Sequence, residues 1–419
     1  MASARRGAAG MAFSRAEPPR RPDRSPSSAW SSRGVTAVVR RSIRPSATLA
    51  RRSAALLLAA FVVLGLVVAP SLVTALTAPG ADSTAARLAE WGRDHGLGAT
   101  VTWLESREYD LAPPAVGGVP AGGIPRVSTS AVPRSSSSAV PARGLPAPAA
   151  LPVRAGVSRL PEEGVWQPVV SSPAGDAVRV AYVRPDATHT SAVVGVMWLD
   201  PRLVAGRLHP GAQDPGGSWA TPPSVTPTLA RTVAAVFSAG FRLDDSHGGW
   251  FADGRAARPL VHGAASLVLH RDGTADVGAW DTEVRMGPEV VSVRQNLVPL
   301  VDGGRVDPTC ATGGTAEWGS TVGQAAYIHR SGFGVTAQGA EVYVGGPSLS
   351  VCSLGEILQS AGVVRGMELD INPAWVSGAY FRPRAHGSPQ ATKLFPDEQI
   401  GAEHYLQRSS RDFFAWYLR

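Results

Sequence analysis

Glu368, Asp370 and Asn372 are spaced two residues apart in Gly366-Met-Glu-Leu-Asp-Ile-Asn372, alternating with Met367, Leu369 and Ile371. Side chains on a strand switch faces at every residue, so the stretch predicts one core-grade face and one acidic face. Cleaving a glycosidic bond needs a group to protonate the leaving oxygen and another to activate water or stabilise the developing cation. Glu368 and Asp370 are the acids best spaced for this. Two strand rises separate their Cα atoms by roughly 6.5–7 Å, compatible with either a retaining or an inverting outcome. The same oxygens, with Asn372, could instead hold a hard cation such as Ca²⁺. The plain alternative is a solvent-facing edge strand with ordinary acids.

Arg330, in His329-Arg-Ser-Gly-Phe-Gly334, is the candidate anion partner. A guanidinium at the end of a strand beside a Gly-rich turn could clamp a phosphate through two parallel hydrogen bonds. A surface ion pair is its ordinary alternative, and His329 on the opposite face reads as structural. Asp244, Asp245 and His247 lie in a Gly-rich loop and could line a pocket rim or simply solvate the loop. Trp250, Trp280 and Trp375 could stack on sugar rings or fill the core.

Other chemistries lack their motifs. The nine His form no pair at helical or strand spacing, which disfavours zinc. No nucleophile elbow, Walker loop or dinucleotide fingerprint is present. No cofactor is expected beyond a divalent cation such as calcium. The formal charge of +7 reflects a tail, because residues 1–52 hold 12 of the 40 Lys and Arg but only Glu17 and Asp23 among the acids. The remainder is slightly acidic, which argues against nucleic acid as a partner.

The elements that must position these residues begin after a long N-terminal region. Residues 1–52, rich in Arg, Ser, Pro and Ala, read as a disordered cytoplasmic tail. Residues 53–76 form an uncharged apolar run long enough to cross a bilayer. Arg40, Arg41, Arg44, Arg51 and Arg52 precede it, so the positive-inside rule puts the rest of the chain outside the cell membrane. The long region before this run favours an uncleaved anchor over a signal peptide. Residues 77–112 read as a juxtamembrane helical segment with Ala85, Leu88, Ala89 and Trp91 on one stripe. Residues 113–155, rich in Pro, Gly and Ser, read as a linker.

Residues 156–419 carry many strand signals and a few helical ones, predicting an α+β domain with a mixed, mainly antiparallel sheet. The clearest hairpin joins Ala264–His270 to Thr274–Trp280 at Asp272-Gly273. Ser353-Leu-Gly-Glu356 has a capping-box pattern, predicting a helix ended by Gly362 that feeds the acidic strand. Ala325–His329 and Glu341–Val344 read as strands flanking a loop with Gly332, Gly334 and Gly339. Cys310 and Cys352, the two cysteines, are most simply a disulfide in an oxidising compartment, closing a loop of about forty residues. A catalytic thiol would need a reducing compartment and a partnered His.

Four ordered stretches within roughly residues 230–380 resemble the phosphodiester glycosidase family. Phe237-Ser-Ala-Gly-Phe241 is similar to the family's Asn-Gly-Gly-Phe turn, and Arg330-Ser-Gly-Phe-Gly334 with Val335 to Gly339 to its Arg-Thr-Ala-x-Gly segment. Leu349 to Gly362 is similar to its helix. Glu368 to Asn372 stands where the family has Leu-Asp-Gly-Gly-Gly-Ser. The resemblance implies Arg330 and Asp370 as the active-site pair, Gly240 as a close-approach glycine, and Ser238, Gly334 and Asn372 around the substrate. Ser238 replaces the family's Asn, and Ile371-Asn372 replaces a Gly-Gly, so a β-branched side chain reshapes the pocket. The expectation is a membrane-anchored extracytoplasmic hydrolase acting on a sugar 1-phosphodiester in an envelope glycopolymer or related glycan. A non-catalytic polysaccharide-binding protein on the same fold is the alternative, and a Ca²⁺-stabilised adhesion domain a third.

Overall fold

The computed structural model describes residues 47–111, 113–127, 144–321, 326–384 and 387–419. The basic tail up to residue 46 and the Ser135–Ser138 run lie outside the described residues. The chain divides into two compact units, Met1–Leu64 and Gly65–Arg419. In the first, the described residues from 47 onward are helical. The apolar run read as a membrane span falls within helix α1, Ala47–Leu76, which contains Pro70. Many α1 side chains before Gly65 are outside the described set, and among the described residues no helix is long and apolar enough to cross a membrane.

The second unit is built from antiparallel sheets and a few helices, as an α+β chain. Its largest sheet has eight strands. In spatial order they are Gln167–Ser172, Gly175–Val183, Val194–Leu199, Glu341–Leu349, Ile328–Thr336, Val363–Glu368, Pro299–Asp302 and Arg305–Val306. A five-stranded sheet contains Val233–Ser238 between Gly378–Arg382 and Phe413–Leu418. A further five-stranded sheet holds the expected hairpin, Ala265–His270 with Ala275–Ala279, turned at Gly273 with φ +80°. Every ladder between these strands is antiparallel, so the sheets are less mixed than the sequence suggests.

Aromatic rings join two of the sheets. Phe237 stacks on Tyr343 with centroids 4.3 Å apart and on Trp416 at 4.6 Å. Met367 and Leu369, the apolar face of the acidic stretch, are buried in the same core. Full burial of one such side chain is worth about 1.5–3 kcal/mol, so this face fixes the register of its neighbours.

Three local readings change. The expected loop around Gly332 and Gly334 is the interior of the strand Ile328–Thr336, with Gly332 paired to Val344 on one side and Glu368 on the other. A Cβ on Gly334 would meet Val363 Cγ1 at 2.4 Å and the Arg365 carbonyl oxygen at 2.6 Å, so this glycine serves strand packing. The helix before the acidic stretch is Val351–Ser360, capped by Ser350, whose Oγ accepts from the Ser353 N–H at 3.1 Å. Ser353 is therefore the reciprocal partner of the cap, and Glu356 instead pairs with Arg154 at 3.3 Å. Gly362, with φ +86°, follows the helix end as expected. Cys352 in that helix is bonded to Cys310.

The segment before the domain is helical, in α2, Thr84–Asp94, and α3, Gly98–Leu111. Ser83 caps α2 by accepting from the Ala86 N–H at 3.1 Å. The buried face of α2 is Ala86, Glu90 and Gly92, while Leu88 of the anticipated stripe is exposed. The flanks of the Pro/Gly/Ser-rich stretch pack on the domain: Ile124 and Leu151 are buried, and the Leu145 N–H donates to Asp200 Oδ2 at 2.6 Å.

Candidate active site

The strand Val363–Glu368 ends at Glu368, but its neighbour holds the next two residues in line. The Leu369 N–H donates to the Ser331 carbonyl at 2.8 Å, and the Ser331 N–H and Oγ both donate to the Asp370 carbonyl at 2.9 Å. The chain then turns, and Asp370 Oδ1 accepts from the Asn372 N–H at 2.8 Å. Burial does not alternate as the sequence suggests, because Met367, Glu368, Leu369, Asp370 and Ile371 are all buried, and the two acids enter different surroundings.

Glu368 is sealed inside the sheet with Arg330. Arg330 Nη1 donates to Glu368 Oε1 at 2.5 Å and its Nε to the Leu349 carbonyl at 3.1 Å. Burial pushes the Glu368 carboxyl up to about 7 against the opposing pull of the Arg330 guanidinium. Neither residue lines a described cavity. Arg330 is thus engaged within a strand interior, whereas the sequence suggested a strand end beside a turn.

Asp370 borders a cavity of about 880 Å³. Its Oδ2 lies 3.4 Å from Nη2 of Arg411, a guanidinium that nothing in the sequence singled out. Burial pushes the Asp370 carboxyl up to about 6, opposed by Arg411 and the Asn372 N–H and reinforced by Glu90 and Asp245. A carboxyl in that range holds its proton in weakly acidic solution, which suits a general acid.

Arg411 is pinned on several sides. Its Nη2 donates to the Gly240 carbonyl at 2.9 Å, its Nη1 lies 3.4 Å from Glu90 Oε1, and its Nε lies 3.7 Å from Asp214 Oδ2. Its guanidinium carbon sits 5.1 Å from the Trp375 ring centroid, a cation–π distance. Trp375 also borders the cavity, whereas Trp250 and Trp280 are core residues that do not. Asp244, Asp245 and His247 line the cavity as well, as do Phe241, Ile371 and Asn372.

Gly240 has φ +127°, and a Cβ there would lie 2.3 Å from Asn296 Oδ1. Asn296 donates to the Ala239 carbonyl at 3.1 Å and accepts from the Phe241 N–H at 3.1 Å, so the close approach at Gly240 is made by the protein's own amide. Ser238, at the end of its strand, is buried, and its N–H donates to the Ser377 carbonyl at 3.3 Å. Ser238, Gly240 and Gly334 do not line the cavity, while Asn372 does. Asn372 Nδ2 donates to Glu105 Oε1 of α3 at 3.2 Å.

Helices α2 and α3 wall this cavity, contributing Glu90, Arg93 and Glu105 among others. Nothing in the local sequence marks Glu90, Arg93 or Glu105, and their role depends on tertiary packing. Among the described residues no group of three or more His, Cys, Asp or Glu could hold a metal ion.

No family model matches the chain, and no curated protein matches it. Among solved structures it is distantly similar to the zebrafish N-acetylglucosamine-1-phosphodiester alpha-N-acetylglucosaminidase catalytic domain, auto-inhibited by pro-peptide. That likeness has 13% identity and a TM-score of 0.37, covering 61% of this chain and 88% of that one. A hypothetical protein from Synechocystis is similar at 12% identity and a TM-score of 0.35, over 59% of this chain and 63% of that one. A candidate exported protein from Burkholderia pseudomallei is similar at 14% identity and a TM-score of 0.31, over 54% and 74%.

Proposed function

We propose that this chain is a hydrolase cleaving the sugar–oxygen bond of a sugar 1-phosphodiester, anchored to the cell membrane by its N-terminal apolar segment with the domain outside. The observation that carries the reading is Asp370. Its buried carboxyl, raised to about 6 and held by Arg411, borders a large cavity with an aromatic wall at Trp375. In this reaction the bond between the anomeric carbon and the phosphate oxygen breaks, and Asp370 gives its proton to the departing oxygen. Arg411 offsets the charge gathering on the phosphate, and water bonds to the anomeric carbon in place of the phosphate oxygen, giving up one proton that restores the Asp370 carboxyl. The products are a free sugar and a phosphomonoester. The apolar run 53–76 and the arginines before it support the anchoring. An envelope glycopolymer or related glycan is the substrate class such a tethered enzyme would meet.

Removing the acid tests the reading. Asp370→Asn is expected to lower sugar release from a sugar 1-phosphodiester by about 10²–10⁴-fold with little change in melting temperature. Undiminished release would overturn the assignment. A second reading, a glycan-binding domain without turnover, is favoured by one observation: Glu368, the carboxylate expected to act with Asp370, faces Arg330 inside the sheet and does not line the cavity. Glycan binding that survives Asp370→Asn, with no product formed by the unaltered protein, would favour that reading.

A further inference from the structure

We propose, building on the cavity's reading as a sugar 1-phosphodiester site, that Arg242 and Arg411 form its phosphoryl-binding subsite and that Glu90 occupies this subsite in the free protein. The two oxygens of Glu90 meet two different guanidiniums, Oε1 with Arg411 Nη1 at 3.4 Å and Oε2 with Arg242 Nη1 at 3.2 Å. One carboxylate bridging two arginines reproduces the way a phosphoryl group is gripped, through separate oxygens on separate forks.

Both forks are fixed by their remaining nitrogens. Arg242 Nη2 donates to Asp94 Oδ1 at 2.5 Å, and Arg411 Nη2 donates to the Gly240 carbonyl at 2.9 Å. Both arginines border the large cavity and a neighbouring polar cavity of about 240 Å³, and Glu90 borders the same two. Arg330, by contrast, is engaged by Glu368 and lines neither cavity.

Charge balance makes the binding an exchange. Asp94 and Asp214 already face these two guanidiniums, so an anion added beside Glu90 would meet an excess of like charge even with Asp370 protonated. A phosphodiester carries one negative charge, and replacing Glu90 with it leaves the balance unchanged. Because Arg411 also reaches Asp370 Oδ2 at 3.4 Å, a phosphate held there would bring its bridging oxygen towards the proposed acid.

The test uses the full chain in detergent, with inorganic phosphate as the probe and calorimetry as the readout. Glu90→Gln is expected to bind phosphate at least about tenfold more tightly than the unaltered chain, because a neutral amide competes poorly for guanidinium. Adding Arg242→Met to that variant should abolish the gain. Equal affinity with and without Glu90, or a gain that survives loss of Arg242, would overturn the subsite. An equal gain for acetate would overturn its assignment to a phosphoryl group.

If Glu90→Gln fails to fold, Arg242→Met alone serves, with phosphate affinity expected to fall at least about tenfold and unchanged affinity overturning the proposal. Phosphate binding that follows Glu90 and Arg242, without hydrolysis of any sugar 1-phosphodiester, would support the subsite and refute the enzyme reading. Hydrolysis with no response of phosphate binding to either residue would refute the subsite alone.

Discussion

Two arginine–carboxylate pairs, built on acids two residues apart, have different surroundings. Arg330 and Glu368 meet at 2.5 Å between paired strands, with the Arg330 Nε engaged by the Leu349 carbonyl. Arg411 and Asp370 meet at 3.4 Å on the wall of a cavity, with Arg411 shared among Gly240, Glu90 and Asp214. Burial raises both carboxyls, so a raised pKa alone does not mark the reactive one. Access and shared partners separate them: the first pair borders none of the three cavities described, while the second faces space a ligand could enter.

Breaking the sealed pair should have the largest effect on stability. Arg330→Ala leaves Glu368 buried without its counter-charge, and unfolding in urea should show a loss of about 3–5 kcal/mol. A loss below about 1 kcal/mol, the range of an exposed ion pair, would mean the pair is not sealed. The cavity side should be disturbed less by Gly240→Ala, which forces a Cβ towards Asn296 at a backbone angle that L residues rarely adopt. The expected loss is about 1–3 kcal/mol, measured in the same way.

The two pairs also differ in their response to pH. Both carboxyls are raised on folding, Glu368 from 4.5 to about 7 and Asp370 from 3.8 to about 6. The folded state therefore binds more protons than the unfolded chain across that window. Their contribution to stability is fully present below the ordinary values and is lost as pH rises through the folded ones. The slope is at most about 1.4 kcal/mol per pH unit for each group. Glu368→Gln should remove the upper part of the slope, towards pH 7, and leave the part due to Asp370. A slope unchanged by Glu368→Gln would show that Asp370 or another group carries it.

What the sequence disclosed was local. Alternation in Gly366–Asn372 marked Met367 and Leu369 as core, Asp272-Gly273 marked a hairpin, and the cysteine pair marked a disulfide. Gly332 and Gly334 misled because glycine signals a turn and equally a strand interior where neighbouring atoms approach closely. Their second use is invisible without the neighbouring Glu368 and Gly366 strand. The helix start was displaced because Ser353-Leu-Gly-Glu356 matches the usual capping-box pattern, whereas the cap closes Ser350 on Ser353, a serine in place of the usual Glu or Gln.

Arg411 was silent for another reason. It lies 41 residues from Asp370 and directly precedes Asp412, which pairs with Arg294, so its local sequence suggests nothing beyond a charged strand entry. Glu90 is separated from Arg411 by 321 positions, and only the packed unit brings them together.

The most direct measurement compares sugar release from a sugar 1-phosphodiester by Asp370→Asn and Glu368→Gln, each confirmed folded by its melting curve. A loss of at least about a hundredfold is expected for Asp370→Asn and of less than about tenfold for Glu368→Gln. Full release by Asp370→Asn with a roughly hundredfold loss in Glu368→Gln would contradict this, placing the chemistry at the Arg330–Glu368 pair.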